Sequence, residues 1–248
     1  MRIALAQMDC TPDEGDNLQA ALGFVMSAKM KNADVVLLPE LFNTGYYLDG
    51  MRQKAQTQRG PGVLTQAATE FGLHVLAGMP ETKGNVVYNS AYWFESGKVG
   101  RSVYRKVHLF PGTPISENAC FAVGKSSKPL KTPLGLLGVQ ICMDLRYPNG
   151  SRRLAEQGAD LLVYLSAFPN VRIHQWLPLL KARAIENQCF VAGCNRVGTD
   201  SIEMGGQSVV FGPQGECLGQ LDGTEEGMLV ADLDFGQVRK ARKALKLW

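Results

Sequence analysis

Three short segments of this chain each end an apolar run in a group that can do chemistry. Leu136-Leu137-Gly138-Val139-Gln140-Ile141 stops at Cys142, and Met143-Asp144-Leu145-Arg146-Tyr147-Pro148 follows. Val35-Val36-Leu37-Leu38 runs into Pro39-Glu40, and Tyr104-Arg105-Lys106-Val107-His108-Leu109-Phe110 sets a lysine among apolar and aromatic residues. A strand that delivers its last residue into a turn before a helix exposes that side chain. The N–H groups of the turn then point at whatever binds there. Each residue alone has an ordinary explanation. A cysteine after isoleucine belongs to a core, Glu40 to a solvated strand end and Lys106 to a snorkelling surface. Three such groups at three strand ends of one chain are harder to dismiss as coincidence.

Leu38-Pro39-Glu40-Leu41-Phe42, Tyr104–Phe110 and Cys142–Pro148 resemble the nitrilase superfamily of carbon–nitrogen hydrolases, in order and in spacing. The resemblance begins at Arg2-Ile3-Ala4-Leu5-Ala6-Gln7-Met8 and runs on through Ala182-Arg183-Ala184-Ile185-Glu186-Asn187 and Gly212-Pro213-Gln214-Gly215-Glu216. It implies Glu40 as general base, Lys106 as stabiliser of the tetrahedral intermediate and Cys142 as nucleophile. It also implies a second active-site glutamate after the lysine; Glu117 is the only acidic residue between Lys106 and Cys142. The implied fold is α/β, a four-layer αββα sandwich of the nitrilase type, as a single carbon–nitrogen hydrolase domain over 1–248. The implied assembly is a homodimer or higher homo-oligomer, paired through the helices after Tyr147 and near 173–187. Cys142–Pro148 resembles the branches that include ω-amidases and deaminated-glutathione amidases, with Met143 where those often carry tyrosine. A small carboxylated ω-amide is therefore the expected substrate. N-carbamoyl amino acids and nitriles are the alternatives within the superfamily.

The chemistry is coherent in its own terms. An amide carbon is a poor electrophile, so the attacking sulfur must shed its proton before or during attack. A carboxylate with a raised pKa, Glu40, can take that proton and return it to the departing amine. Lys106 offers a fixed positive charge to thiolate and oxyanion, and the Met143 N–H a second oxyanion donor. Water then hydrolyses the thioester. Neither a metal nor an organic cofactor is needed.

Tyr46, Phe168 and Trp176 are aromatic candidates for the pocket wall. Phe168 leads, because Leu165-Ser166-Ala167-Phe168-Pro169 follows a strand-like run, whereas core positions suit Tyr46 and Trp176 equally well. Arg146 and Arg172 have the chemistry to hold a substrate carboxylate, although pairing with Asp144 or another acid is the favoured reading for Arg146. Two other classes compete. One is a Cys–His hydrolase with His74, His108 or His174 as base; the other is a catalytically silent scaffold, which intact Glu40, Lys106 and Cys142 disfavour.

Composition is that of an ordinary globular enzyme: 248 residues, 45% hydrophobic, 20% charged, net charge +3. The basic run Arg239-Lys240-Ala241-Arg242-Lys243 reads as the solvated face of a terminal helix, with no aromatic ladder to suit nucleic acid. No stretch nears the roughly 20 apolar residues of a membrane span. The opening reads as a strand rather than a leader, and the six cysteines (10, 120, 142, 189, 194, 217) lack a disulfide framework's spacing. Reduced thiols in a cytoplasm fit best, with Cys189 and Cys194 in the core.

The elements that must position the reactive groups alternate. Strands are expected near 2–8, 34–38, 73–78, 86–95, 99–106, 136–141, 160–165, 189–195, 206–211 and 227–232. Helices are expected near 17–30, 62–71, 149–157 and 173–187. Leu18, Ala21, Leu22, Val25 and Met26 make one apolar stripe, with Asp16 as cap; Val63, Leu64, Ala67, Ala68 and Phe71 make another. Gly84-Asn85 and Ser96-Gly97-Lys98 read as hairpin turns. The terminal Lys246-Leu247-Trp248 is either an apolar tail for a neighbour or simply solvated.

Overall fold

The computed structural model describes residues 1–112, 116–125 and 128–247. The order is β1 (Arg2–Gln7), α1 (Glu14–Met30), β2 (Val35–Leu38), α2 (Met51–Thr57), α3 (Gly60–Phe71), β3 (His74–Lys83), β4 (Val86–Glu95), β5 (Lys98–Arg105) and β6 (Leu130–Thr132). There follow β7 (Gly135–Ile141), α4 (Pro148–Glu156), β8 (Leu161–Ser166), α5 (Trp176–Asn187), β9 (Phe190–Asn195), β10 (Val209–Phe211), β11 (Cys217–Gln220), β12 (Gly227–Asp232) and α6 (Gly236–Ala244). Two six-stranded sheets form, in the orders β12-β1-β2-β3-β4-β5 and β11-β10-β9-β8-β7-β6. In each, three neighbouring parallel strands are flanked by antiparallel ones.

The period-2 rule of a strand explains the layering. Ile3, Leu5, Val35, Leu37 and Leu76 point into a core shared with the second sheet. Ala4, Ala6, Val36, Leu38, Val75 and Ala77 point the other way, under Leu18, Ala21 and Val25 of α1 and Leu64, Ala67 and Ala68 of α3. Both faces are covered, so these strands read as continuous apolar runs rather than alternating ones. On the far side, Leu154 of α4, Trp176, Leu180 and Ala184 of α5 and Val238 of α6 close the second sheet. The layers are therefore helix, sheet, sheet, helix, the αββα sandwich expected. Trp176 is core, fully buried against Phe168; truncating such a side chain to alanine costs about 3–5 kcal/mol.

Several boundaries differ from expectation for local reasons. Asp13, not Asp16, caps α1: its backbone is extended and its carboxylate accepts the Asp16 N–H at 3.0 Å. The helix expected over 173–187 starts at Trp176, after a 3₁₀ turn at Asn170–Gln175. An earlier start would place Pro178 in the second turn, where its missing N–H and its ring break a helix. β3 runs on to Lys83 because β4 pairs it along its whole length. The helix α2 and the short edge strands β6 and β11 lie outside the expected elements, whereas α6 is the terminal helix expected to carry the basic run 239–243. Trp248, named for the tail, lies outside the described residues. Among the described residues, no helix is long and apolar enough to cross a membrane.

Candidate active site

Glu40, Lys106 and Cys142 each follow the last residue or so of a strand: β2, β5 and β7 respectively. Pro39 ends β2, and Leu41 turns the chain at once with φ 51°. The Pro39–Glu40 backbone crosses directly over Gly78 of β3. A Cβ on Gly78 would lie 2.6 Å from Glu40 Cα and 2.7 Å from the Pro39 oxygen, so only glycine fits. Lys106 is held by its main chain: its N–H donates to the Asn89 carbonyl and its carbonyl accepts from Gly124, each at 2.8 Å. Cys142 has φ 41°, a left-handed conformation costing a non-glycine residue about 1–3 kcal/mol. The strain marks an elbow, at which the chain leaves β7 for the 3₁₀ turn Cys142–Arg146.

The side chains meet in a buried polar cluster. Lys106 Nζ lies 2.7 Å from Glu40 Oε1 and 2.7 Å from Glu117 Oε2, and none of the three side chains is exposed. Asn89 Nδ2 donates to Glu40 Oε1 at 2.7 Å and to Glu117 Oε1 at 2.8 Å. The Ala167 N–H, just past β8, donates to Glu40 Oε2 at 2.8 Å, and the Phe110 N–H to Glu117 Oε2 at 2.6 Å. An ammonium has three donors, and two are used on the carboxylates. Glu117, which sits in the 3₁₀ turn Glu117–Ala119, thus joins Glu40 and Lys106 in the cluster.

Electrostatics follow from this packing. Burial pushes Glu40 above the ordinary carboxylate range, although Lys106 pulls the other way. For Lys106 burial opposes charge, but the Glu117 and Glu40 carboxylates outweigh it and the ammonium titrates above the usual lysine range. Burial and the Glu40 charge raise the Cys142 thiol well above its usual range, with Lys106 opposing. Burial and Glu40 thus work against a Cys142 thiolate, and Lys106 works for it. Burial raises the Tyr46 phenol likewise, aided by Glu117 and Glu40.

Cys142, Met143, Tyr46 and Phe168 line one pocket, together with Phe110, Ala167, Ile202 and Met204. Arg146 and Arg172 line it too, their guanidinium carbons each 5.3 Å from a ring centroid, Phe168 and Phe110 respectively. The expected pairing of Arg146 with Asp144 is not made. Asp144 is occupied by the Tyr104 hydroxyl at 2.6 Å, the His108 N–H at 3.0 Å, His108 Nδ1 at 2.8 Å and the Ile141 N–H at 3.0 Å. That ring also stacks on Tyr147 at 3.6 Å, so His108 faces Asp144 rather than Cys142. His74 stacks on Trp93, and His174 is exposed beside Gln175. No histidine among the described residues hydrogen-bonds Cys142.

Some partners escaped the sequence reading. Asn89 looks like any polar residue inside a hairpin strand, and only the fold turns it toward the two carboxylates. Buried Arg196 binds Asp200 Oδ2 at 2.5 Å, and the same oxygen accepts the Tyr46 N–H at 2.7 Å. This pair fixes the Tyr46 wall from a loop more than 150 positions away in the chain. A fully buried arginine needs a partner, but sequence alone does not say which arginine is buried.

Comparisons with known proteins identify the family. The carbon-nitrogen hydrolase family model matches residues 2–243. A 2-oxoglutaramate amidase of Bacillus subtilis (strain 168) is 33% identical over 231 residues, covering 91% of this chain and 87% of the relative. The crystal structure of Saccharomyces cerevisiae Nit3, a member of branch 10 of the nitrilase superfamily, superposes with a TM-score of 0.88 at 29% identity, covering 100% of this chain and 94% of that one. A mutant amidase from Nesterenkonia sp. AN1, with acrylamide added to its active-site cysteine, superposes at 0.84 and 28% identity, covering 98% and 97%. The family model spans nearly the whole chain and the relatives share its length and fold: it belongs to the carbon–nitrogen hydrolase family.

Proposed function

We propose that residues 1–248 act as one hydrolase domain that cleaves a small carboxylated ω-amide to carboxylate and ammonia through a thioester on Cys142. The observation that carries this reading is the buried Glu40–Lys106–Glu117 cluster, whose charges act on the Cys142 thiol at the pocket wall. In this mechanism the substrate carbonyl carbon meets Sγ, and Glu40 takes the thiol proton as the C–S bond forms. The third Lys106 donor and the Met143 N–H receive the oxyanion. Glu40 returns its proton to the nitrogen as the C–N bond breaks, and ammonia leaves. Water, deprotonated by Glu40, then attacks the thioester and releases acid and thiol. Glu117 holds Lys106 charged and in place throughout.

The carboxylated substrate is supported by Arg146 and Arg172, which form no ion pair among the described residues and flank an otherwise apolar pocket. It is also supported by the likeness to a 2-oxoglutaramate amidase. A guanidinium fixes the charged end and leaves the neutral amide for Cys142. We further take the protein to be a cytoplasmic homodimer or larger homo-oligomer. Exposed Ile185 of α5 and Leu245 after α6 support that assembly.

Ammonia release across ω-amides, N-carbamoyl amino acids, aliphatic amides and nitriles tests the substrate class. Carboxylated ω-amides should turn over fastest, and thiol alkylation should stop the reaction. Turnover of nitriles or carbamoyl compounds alone would overturn the amide reading.

A further inference from the structure

We infer that Asn89 is the positioning residue of this site: one side chain and its own carbonyl hold both glutamates and the lysine in the register the chemistry needs. The inference rests on the thiol mechanism proposed above and adds to it the residue that keeps its two carboxylates apart in role.

Asn89 touches three members of the cluster at once. Its carbonyl accepts the Lys106 N–H at 2.8 Å, its amide nitrogen donates to Glu40 Oε1 at 2.7 Å, and the same nitrogen donates to Glu117 Oε1 at 2.8 Å. Both amide hydrogens are spent on carboxylates, which fixes the amide orientation, because an oxygen facing two carboxylates would be repelled. The cost is visible: fully buried Asn89 Oδ1 finds no hydrogen-bond partner among the described residues. A buried acceptor left unpaired is destabilising, and packing alone gives no reason to keep it.

The lone pairs show what the orientation achieves. Glu40 Oε1 is filled by Asn89 and Lys106, while Oε2 takes only the Ala167 N–H and keeps one acceptor site for the thiol proton. Glu117 Oε2 is filled by Lys106 and Phe110 N–H, while Oε1 takes Asn89. Without the neutral bridge, the two carboxylates would compete for Lys106 and for a shared proton. The groups facing Asn89 are Glu40 beyond β2, Lys106 beyond β5 and Glu117 of the 3₁₀ turn, with Cys142 and Tyr46 on the rim of the same cluster.

Asn89→Ala and the isosteric Asn89→Asp test this, with Cys142→Ala beside them. Asn89→Ala should lower kcat by about 30-fold or more, the scale of losing bonds to charged groups, and change KM by less than about threefold. Asn89→Asp should retain the fold and acquire a new alkaline loss of activity, because the added carboxyl can donate only while protonated. Both variants within about threefold of wild type, on an unchanged pH profile, would overturn the inference. So would loss of the fold in both, which would assign Asn89 to the stability of the β4–β5 pair. If Cys142→Ala stayed active, the thioester mechanism itself would fall. Inactive Cys142→Ala beside wild-type-like Asn89 variants would remove only the role given to Asn89.

Discussion

The Tyr104 hydroxyl donates to the Asp144 carboxylate across 2.6 Å, and that bond crosses from one sheet to the other beside the site. Tyr104 lies two residues before Lys106 and Asp144 two residues after Cys142. The bond therefore fixes the span between ammonium and thiol. Asp144 also accepts both the N–H and the ring of His108, so the Lys106 segment is gripped on both sides.

Asp144→Asn replaces an acceptor of four donors by a group that must itself donate. It should cost about 2–4 kcal/mol of stability and lower kcat about 10- to 100-fold through misplacement. Tyr104→Phe removes the hydroxyl's bond to Asp144 and a longer one from the Val107 N–H, and should cost less, about 1–2 kcal/mol. Urea unfolding with parallel kinetics checks both; equal effects of the two substitutions would contradict the geometry.

Lys106→Arg keeps the charge but puts a wide planar fork where a compact ammonium sits between two carboxylates. The third donor would then miss the oxyanion, and kcat should fall at least about 100-fold. Near-normal turnover would remove Lys106 from the reaction.

The pH dependence has a definite sign. Burial raises Glu40, and the base must be ionised to take the thiol proton, so kcat/KM should fall with decreasing pH through a value above the ordinary carboxylate of about 4.3. Burial raises Cys142 as well, so iodoacetamide alkylation should quicken with rising pH and reach no plateau below about pH 8.5, the ordinary thiol value. A plateau near neutrality would mean a resting thiolate and an ion-pair mechanism instead.

The legible part of this site is the part written in local sequence. Glu40, Lys106 and Cys142 each end an apolar run, a local pattern that is ordinary alone and distinctive only when the three motifs stand together. The sandwich is legible in the same way, since strands buried on both faces must be continuous apolar runs. What remained hidden depends on contacts between distant segments. Asn89 faces two glutamates only because β4 lies between β3 and β5, and Arg196 matters only because a later loop returns to Tyr46. The sequence favours pairing Arg146 with Asp144 or another acid. In the fold Tyr104, His108 and Ile141 reach that carboxylate first.

The freed arginines make a specificity prediction. Arg146→Gln and Arg172→Gln should each raise KM for carboxylated ω-amides about 10-fold or more, the scale of a charge-assisted bond. Neutral aliphatic amides should change by less than about threefold. Equal losses on both substrate classes would show that these side chains shape the pocket without reading charge.

The central claim is that the acyl group passes through Cys142, and intact-protein mass spectrometry with a slow amide substrate tests it most directly. Rapid acid quench should trap one acyl adduct, and peptide mapping should place it on Cys142, with none formed by Cys142→Ala. An adduct on Cys10, Cys120, Cys189, Cys194 or Cys217, or turnover by Cys142→Ala, would contradict the account.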